Sequence, residues 1–147
     1  MKRRVILSFV TAMAAALPAA AQQPVPGEHF IENWDMNSDG KVTAEEARQK
    51  RDEIFSMFDQ DEDGALNAAE YDLFDETRET DIKENIGQNT GPMAVFSRAM
   101  GRDFNDVDKD GQVTRDEFLS QASAWFELMD RDKDQVITIG DFGPRKV

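Results

Sequence analysis

Three apolar triplets repeat one spacing along the chain. Phe30, Ile31 and Trp34 stand five, four and one residues before Asp35, and Ile54, Phe55 and Phe58 stand at the same offsets before Asp59. Trp125, Phe126 and Met129 repeat them before Asp130. These offsets place three side chains on one helical face, so each triplet predicts a helix that ends just ahead of an aspartate with its apolar face in a core. A second apolar series lies inside the polar stretches that follow. Val42, Leu66 and Ile137 each come seven residues after those aspartates, and Val113 comes seven after Asp106. Their regularity predicts short extended segments that bridge one polar stretch to another.

The polar stretches share a second pattern. "DMNSDGKVTAEE" (Asp35 to Glu46), "DQDEDGALNAAE" (Asp59 to Glu70) and "DVDKDGQVTRDE" (Asp106 to Glu117) carry acid or amide oxygens at positions 1, 3 and 5, glycine at 6 and glutamate at 12. A twelve-residue loop wrapped around one hard cation needs this order. Alternate side chains point inward, glycine at 6 allows the sharp turn, the position-7 carbonyl adds an oxygen, and glutamate at 12 reaches back with two more. The candidate metal ligands are therefore Asp35, Asn37, Asp39 and Glu46 in loop 1; Asp59, Asp61, Asp63 and Glu70 in loop 2; and Asp106, Asp108, Asp110 and Glu117 in loop 3. The position-7 carbonyls belong to Lys41, Ala65 and Gln112. A fourth stretch, "DRDKDQVITIGD", supplies Asp130, Asp132, Asp134 and Asp141 with the Val136 carbonyl, but has Gln135 at position 6 and aspartate at 12. Asp141 is one carbon shorter than glutamate, so loop 4 is expected to be the weakest calcium site, or one better suited to magnesium.

Three full matches and one near match identify the chain as similar to the EF-hand calcium-binding proteins, in particular the small exported bacterial ones. The resemblance runs from about Phe30 to Phe142 and is weakest between Tyr71 and Phe104. It implies an all-α bundle of helix–loop–helix hands that holds three to four calcium ions, with short β-bridges between paired loops. Hands 1 and 2 would occupy about residues 30–75, a linker and helix 76–104, and hands 3 and 4 about 105–143.

The spacing of the loops restricts how they pair. The starts of loops 1 and 2 are 24 residues apart, as are those of loops 3 and 4, which leaves twelve residues inside each pair. Twelve residues make one helix of about 18 Å. Ala47 to Phe58 must then leave loop 1 and also enter loop 2, and Phe118 to Met129 must do the same for loops 3 and 4. Loops at opposite ends of one helix cannot easily bridge each other. Loop 1 is therefore expected to pair with loop 4 and loop 2 with loop 3; the alternative is a parallel arrangement of loop 1 with loop 3. The short gap is similar to that of lanmodulin, a bacterial periplasmic lanthanide-binding protein, which gives an alternative metal. That protein's loops carry proline at position 2, where this chain has Met36, Gln60, Val107 and Arg131.

Before loop 3 the helical phase slips: Arg102, Phe104 and Asn105 replace the apolar triplet. The entering helix should end early or irregularly, helped by Gly101. Ahead of it, "YDLFDETRETDIKEN" reads as a helix end and "IGQNTGP" as a break, with Thr90 as cap and Pro92 opening the next helix.

Composition sharpens this picture. The chain has 147 residues, 17 Lys+Arg, 30 Asp+Glu and no cysteine. Its opening has the form of a secretory signal peptide: Lys2, Arg3 and Arg4, an apolar run from Val5 to Leu17, then Ala19-Ala20-Ala21. Removal of residues 1–21 would leave 14 basic against 30 acidic residues, a net −16, in a periplasmic or secreted protein with no membrane segment. Such a charge disfavours nucleic acid as a partner. It also makes a bound cation the natural staple for an exported chain that has no disulfide. The loops hold three acids in the first and four in each of the others at positions 1, 3, 5 and 12, fifteen of the thirty. No Ser, Cys or His constellation accompanies them, so an enzyme is not expected, and His29 reads as a solvated helix-start residue. Met57, Met93, Met100 and Met129 are read as core, with a Met/Phe surface for a protein partner as the alternative.

Overall fold

The computed structural model describes residues 25–86 and 91–144. The expected signal peptide and the Thr90 cap lie outside the described residues. Within them the protein is all-α with small β-bridges: α1 (Glu28–Trp34), α2 (Ala44–Phe58), β1 (Ala65–Leu66), α3 (Ala68–Asp81), α4 (Pro92–Met100), α5 (Arg102–Asn105), β2 (Val113–Thr114), α6 (Arg115–Ser120) and α7 (Ala122–Met129). A π-helical turn (Ile82–Ile86) extends α3, and a 3-10 turn (Ile139–Phe142) follows loop 4.

One helix, α2, spans the whole gap between loops 1 and 2, as the residue count requires. The second gap differs from expectation. Phe118 to Met129 does not form one helix but is broken at Gln121 (φ −80°, ψ −3°) between α6 and α7. Part of the cause is local: the Ser120 hydroxyl donates to the Glu117 carbonyl at 2.8 Å, competing with the helix's own donors. Pro92 does open α4, but the residue ahead of it that serves as N-cap is Gly91 (φ 57°). The helix before loop 3 is interrupted at Gly101 and resumes as the single turn of α5.

The loops pair across the molecule. β1 of loop 2 runs antiparallel to β2 of loop 3, with Ala65 facing Thr114 and Leu66 facing Val113. Val42 of loop 1 bridges Ile137 of loop 4 through N–H···O bonds of 2.8 and 2.9 Å. All four position-8 side chains are buried.

The triplets meet in one core. Trp34 stacks on Trp125 with centroids 4.6 Å apart, and Phe30 packs against Trp34, Phe96 and Phe142. At the other end Phe55 packs on Phe118, and Phe58 and Tyr71 on Phe74. Met93, Met100 and Met129 lie in this core, whereas Met57 is 69% exposed. Among the described residues no helix is long and apolar enough to cross a membrane.

The two ends of this core meet at Gly27, the N-cap of α1, where φ is +87° and an added Cβ would collide with the Phe142 side chain. Gly27→Ala is expected to destabilise the fold by about 2–4 kcal/mol, combining left-handed backbone strain with overpacking. Chemical denaturation in calcium would measure it, and an unchanged midpoint would show that this contact does not close the bundle.

Candidate metal centre

Each loop is drawn shut by the same set of hydrogen bonds. The position-5 N–H donates to the carboxylate at position 1 and to the side-chain oxygen at position 3: Asp39 to Asp35 and Asn37, Asp63 to Asp59 and Asp61, Asp110 to Asp106 and Asp108, Asp134 to Asp130 and Asp132. The position-6 N–H donates to the second oxygen at position 1, at 2.7 Å from Gly40 and 3.1 Å from both Gly64 and Gly111. Position 7 donates to position 5, from Lys41, Ala65, Gln112 and Val136. Every loop is thus a nest of N–H groups around carboxylates whose remaining lone pairs face one another.

The position-12 side chain closes the loop a second time. Glu46, Glu70 and Glu117 each accept the N–H of position 2 and the N–H of position 9. Position 9 is Thr43, Asn67 or Thr114, the N-cap of the exiting helix, so the ligand glutamate is also the N3 residue of a capping box. Burial alone would raise the Glu46 carboxyl, but hydrogen bonds from Thr43, Met36 and Asn37 outweigh it and hold the group below its usual range. Glu117 is lowered in the same way, through Thr114, Asp108 and Val107.

Carboxylate oxygens at positions 1, 3 and 12 lie within 4.8 Å of one another in three loops: Asp59, Asp61 and Glu70; Asp106, Asp108 and Glu117; Asp130, Asp132 and Asp141. In loop 1 the position-3 oxygen is the amide of Asn37. The position-5 carboxylates Asp39, Asp63, Asp110 and Asp134 are set by their own bonds to position 7 and stand outside these triads. A donor set made only of oxygens suits a hard cation such as calcium or magnesium.

Loop 4 keeps the shared lattice despite its two substitutions. Gln135 takes φ +74°, beside +83°, +85° and +91° for Gly40, Gly64 and Gly111. Asp141 is buried and accepts from Arg131 N–H at 2.7 Å and Thr138 N–H at 2.8 Å, the same two donors that glutamate uses elsewhere. The missing carbon is offset by the backbone, which enters a tight 3-10 turn rather than an α-helix. Arg131 at position 2 secures that turn by donating from Nη1 to the Asp141 and Gly143 carbonyls. Asp132 is raised by burial and by the carboxylates of Asp134, Asp141 and Asp130, with the Asp134 N–H opposing. The acids of this loop repel one another as they stand.

The position-9 caps have a sequence signal of their own, because "TAEE", "NAAE" and "TRDE" are capping-box signatures that the ligand pattern overlies. Arg131 had no readable signal, because position 2 carries no ligand.

Residues 51–74 and 104–120 match the family model of the EF hand. The chain is also similar to a 16 kDa calcium-binding protein of Schistosoma mansoni, with 31% identity over 123 residues that cover 74% of this chain and 77% of that protein. With the fold and loops described above, these place the chain in the EF-hand family of calcium-binding proteins.

Gln135→Gly should stabilise the loaded protein by roughly 0.5–1 kcal/mol, once the unfolded-state entropy of glycine is set against relief of the left-handed strain. The Gln135 side chain is exposed, so little packing is lost. Urea denaturation in saturating calcium measures the gain; a loss would mean that the glutamine side chain supports the loop.

Proposed function

We propose that the protein is an exported calcium-binding buffer or calcium-stabilised module that takes three to four ions in its four loops. The observation that carries this reading is the fourfold recurrence of one hydrogen-bond lattice around converging oxygens, kept even where Gln135 and Asp141 depart from the pattern. The similar Schistosoma mansoni protein, named for calcium binding, supports the choice of ion. The ligands would be the side chains at positions 1, 3, 5 and 12 of each loop with the carbonyls of Lys41, Ala65, Gln112 and Val136. Loop 4 would bind calcium most weakly or take magnesium. Export is supported by the form of residues 1–21, and a module outside the cytoplasm would work near 10⁻⁴–10⁻³ M calcium. The chemistry is binding rather than catalysis, because each paired carboxylate lies in a ligand register.

Observations on the methionines and on the loops bear on the alternatives of sensor and of lanthanide. A sensor would grip a protein partner with an apolar groove, but Met93, Met100 and Met129 are core residues and Met57 is exposed without them. The twelve-residue gap favours the lanthanide reading, and the absence of proline at position 2 opposes it.

Fifteen loop acids repel one another without cations, so folding should be coupled to metal. Circular dichroism in chelator is expected to show a loosened chain with a lower melting point, and calcium to restore helix. Calorimetric titrations with calcium, magnesium and a lanthanide would give three strong calcium sites and one weak. An unchanged spectrum and melting point in chelator contradicts the proposal, and lanthanide binding tighter by many orders of magnitude would reassign the metal.

A further inference from the structure

The core contains a cation that the metal loops do not account for. Arg51, in the middle of α2, is fully buried, and its guanidinium lies 4.1 Å from the Phe118 ring centroid. Burial pushes its pKa down to about 10, with the nearby Tyr71 opposing the shift, so it remains charged at neutral pH. No carboxylate forms an ion pair with it among the described residues. Its partners are neutral: the Phe118 carbonyl at 2.7 Å, the Asn105 amide oxygen at 2.6 Å and the Met100 sulfur at 2.8 Å. A buried charge without an opposite charge is costly, so its placement calls for a reason.

The partners stand at the edges of the loops. Asn105 immediately precedes Asp106, the first ligand of loop 3, and Phe118 immediately follows Glu117, the last. Phe118 is in the last turn of α6, where carbonyls lack helical donors and the dipole is negative, so a cation is favoured there. Asn105 in turn donates to the Tyr71 hydroxyl at 3.1 Å and to the Gly101 carbonyl at 2.9 Å. Tyr71 immediately follows Glu70, the last ligand of loop 2, and donates to the Met100 carbonyl at 2.7 Å. One buried chain of hydrogen bonds therefore joins both ends of loop 3, the end of loop 2 and the helix shared by loops 1 and 2. The residues flanking loops 1 and 4 are Trp34, Ala47, Met129 and Phe142, all apolar. The polar network belongs to one loop pair only.

We propose that Arg51, Asn105 and Tyr71 are positioning residues that set the ends of loops 2 and 3 together, so that filling one loop raises the affinity of the other. This rests on the reading of loops 2 and 3 as calcium sites. The guanidinium holds Asn105 and Phe118 at a fixed separation, and so fixes the ends between which the loop 3 ligands must converge. The Asn105–Tyr71 bond passes that constraint to the residue next to Glu70. It acts in addition to the β1–β2 bridge and leaves the bridge untouched.

The Gly64 and Gly111 amides donate to Asp59 and Asp106, so their resonances in a proton–nitrogen correlation spectrum report loops 2 and 3 separately, and Gly40 reports loop 1. The full chain is titrated with calcium alone, unaltered and as Tyr71→Phe and Asn105→Ala. Tyr71→Phe removes one hydroxyl and is the variant that keeps the test open if Asn105→Ala fails to fold. In the unaltered chain the Gly64 and Gly111 curves should be steeper than single-site binding, with a Hill coefficient above 1. In Tyr71→Phe the steepness should fall towards the single-site slope and the midpoints should rise by about twofold or more, with Gly40 unchanged. An unchanged slope in Tyr71→Phe, even with a lower melting temperature, overturns the coupling but leaves the calcium sites standing. Single-site slopes in the unaltered chain also overturn it, and no movement of either amide overturns the calcium reading and the coupling together.

Discussion

Twelve residues between neighbouring loops are the constraint on which the rest of this structure depends. One helix fills that gap, so α2 carries loop 1 at its start and loop 2 at its end. The two loops are held apart by the length of the helix and bridge loops from the other half of the chain. Of the cross pairings left open, the structure takes 1 with 4 and 2 with 3, and a shared core follows, because each bridge needs both halves. The aromatic contacts reflect this: Trp34 of the first hand stacks on Trp125 ahead of the fourth loop, and Phe55 ahead of the second packs on Phe118 after the third.

The position-12 carboxylate ties local structure to site. In each loop it serves the N-cap of the exiting element and the N–H of position 2. The same carboxylate is thus both the partner of a helix cap and a candidate ligand, so the residues that start the exiting element also curve the loop. Loop 4 shows how far the frame tolerates change. A shorter acid is accommodated by a tighter turn, and glutamine adopts a glycine conformation.

The sequence made much of this legible. Oxygen-bearing residues at fixed positions located the loops, the apolar triplets located the core, and the residue count between loops excluded pairing of 1 with 2 and of 3 with 4, leaving the structure to decide between loops 4 and 3 as the partner of loop 1. Other features depend on contacts between distant segments and left no periodic trace. The break at Gln121 falls in "FLSQASAW", which contains neither glycine nor proline. Arg51 reads as one more charged residue on an exposed helix, since nothing nearby in sequence shows that Asn105 and Phe118 will close over it. Asn105 was visible only as a fault in the apolar pattern, and that fault is where the buried network runs.

The crossed pairing is the claim from which the account follows, and cross-strand nuclear Overhauser contacts in the calcium-loaded chain test it most directly. The account predicts contacts between Val42 and Ile137 and between Leu66 and Val113. Contacts between Val42 and Leu66, joining loops that are neighbours in sequence, would contradict it.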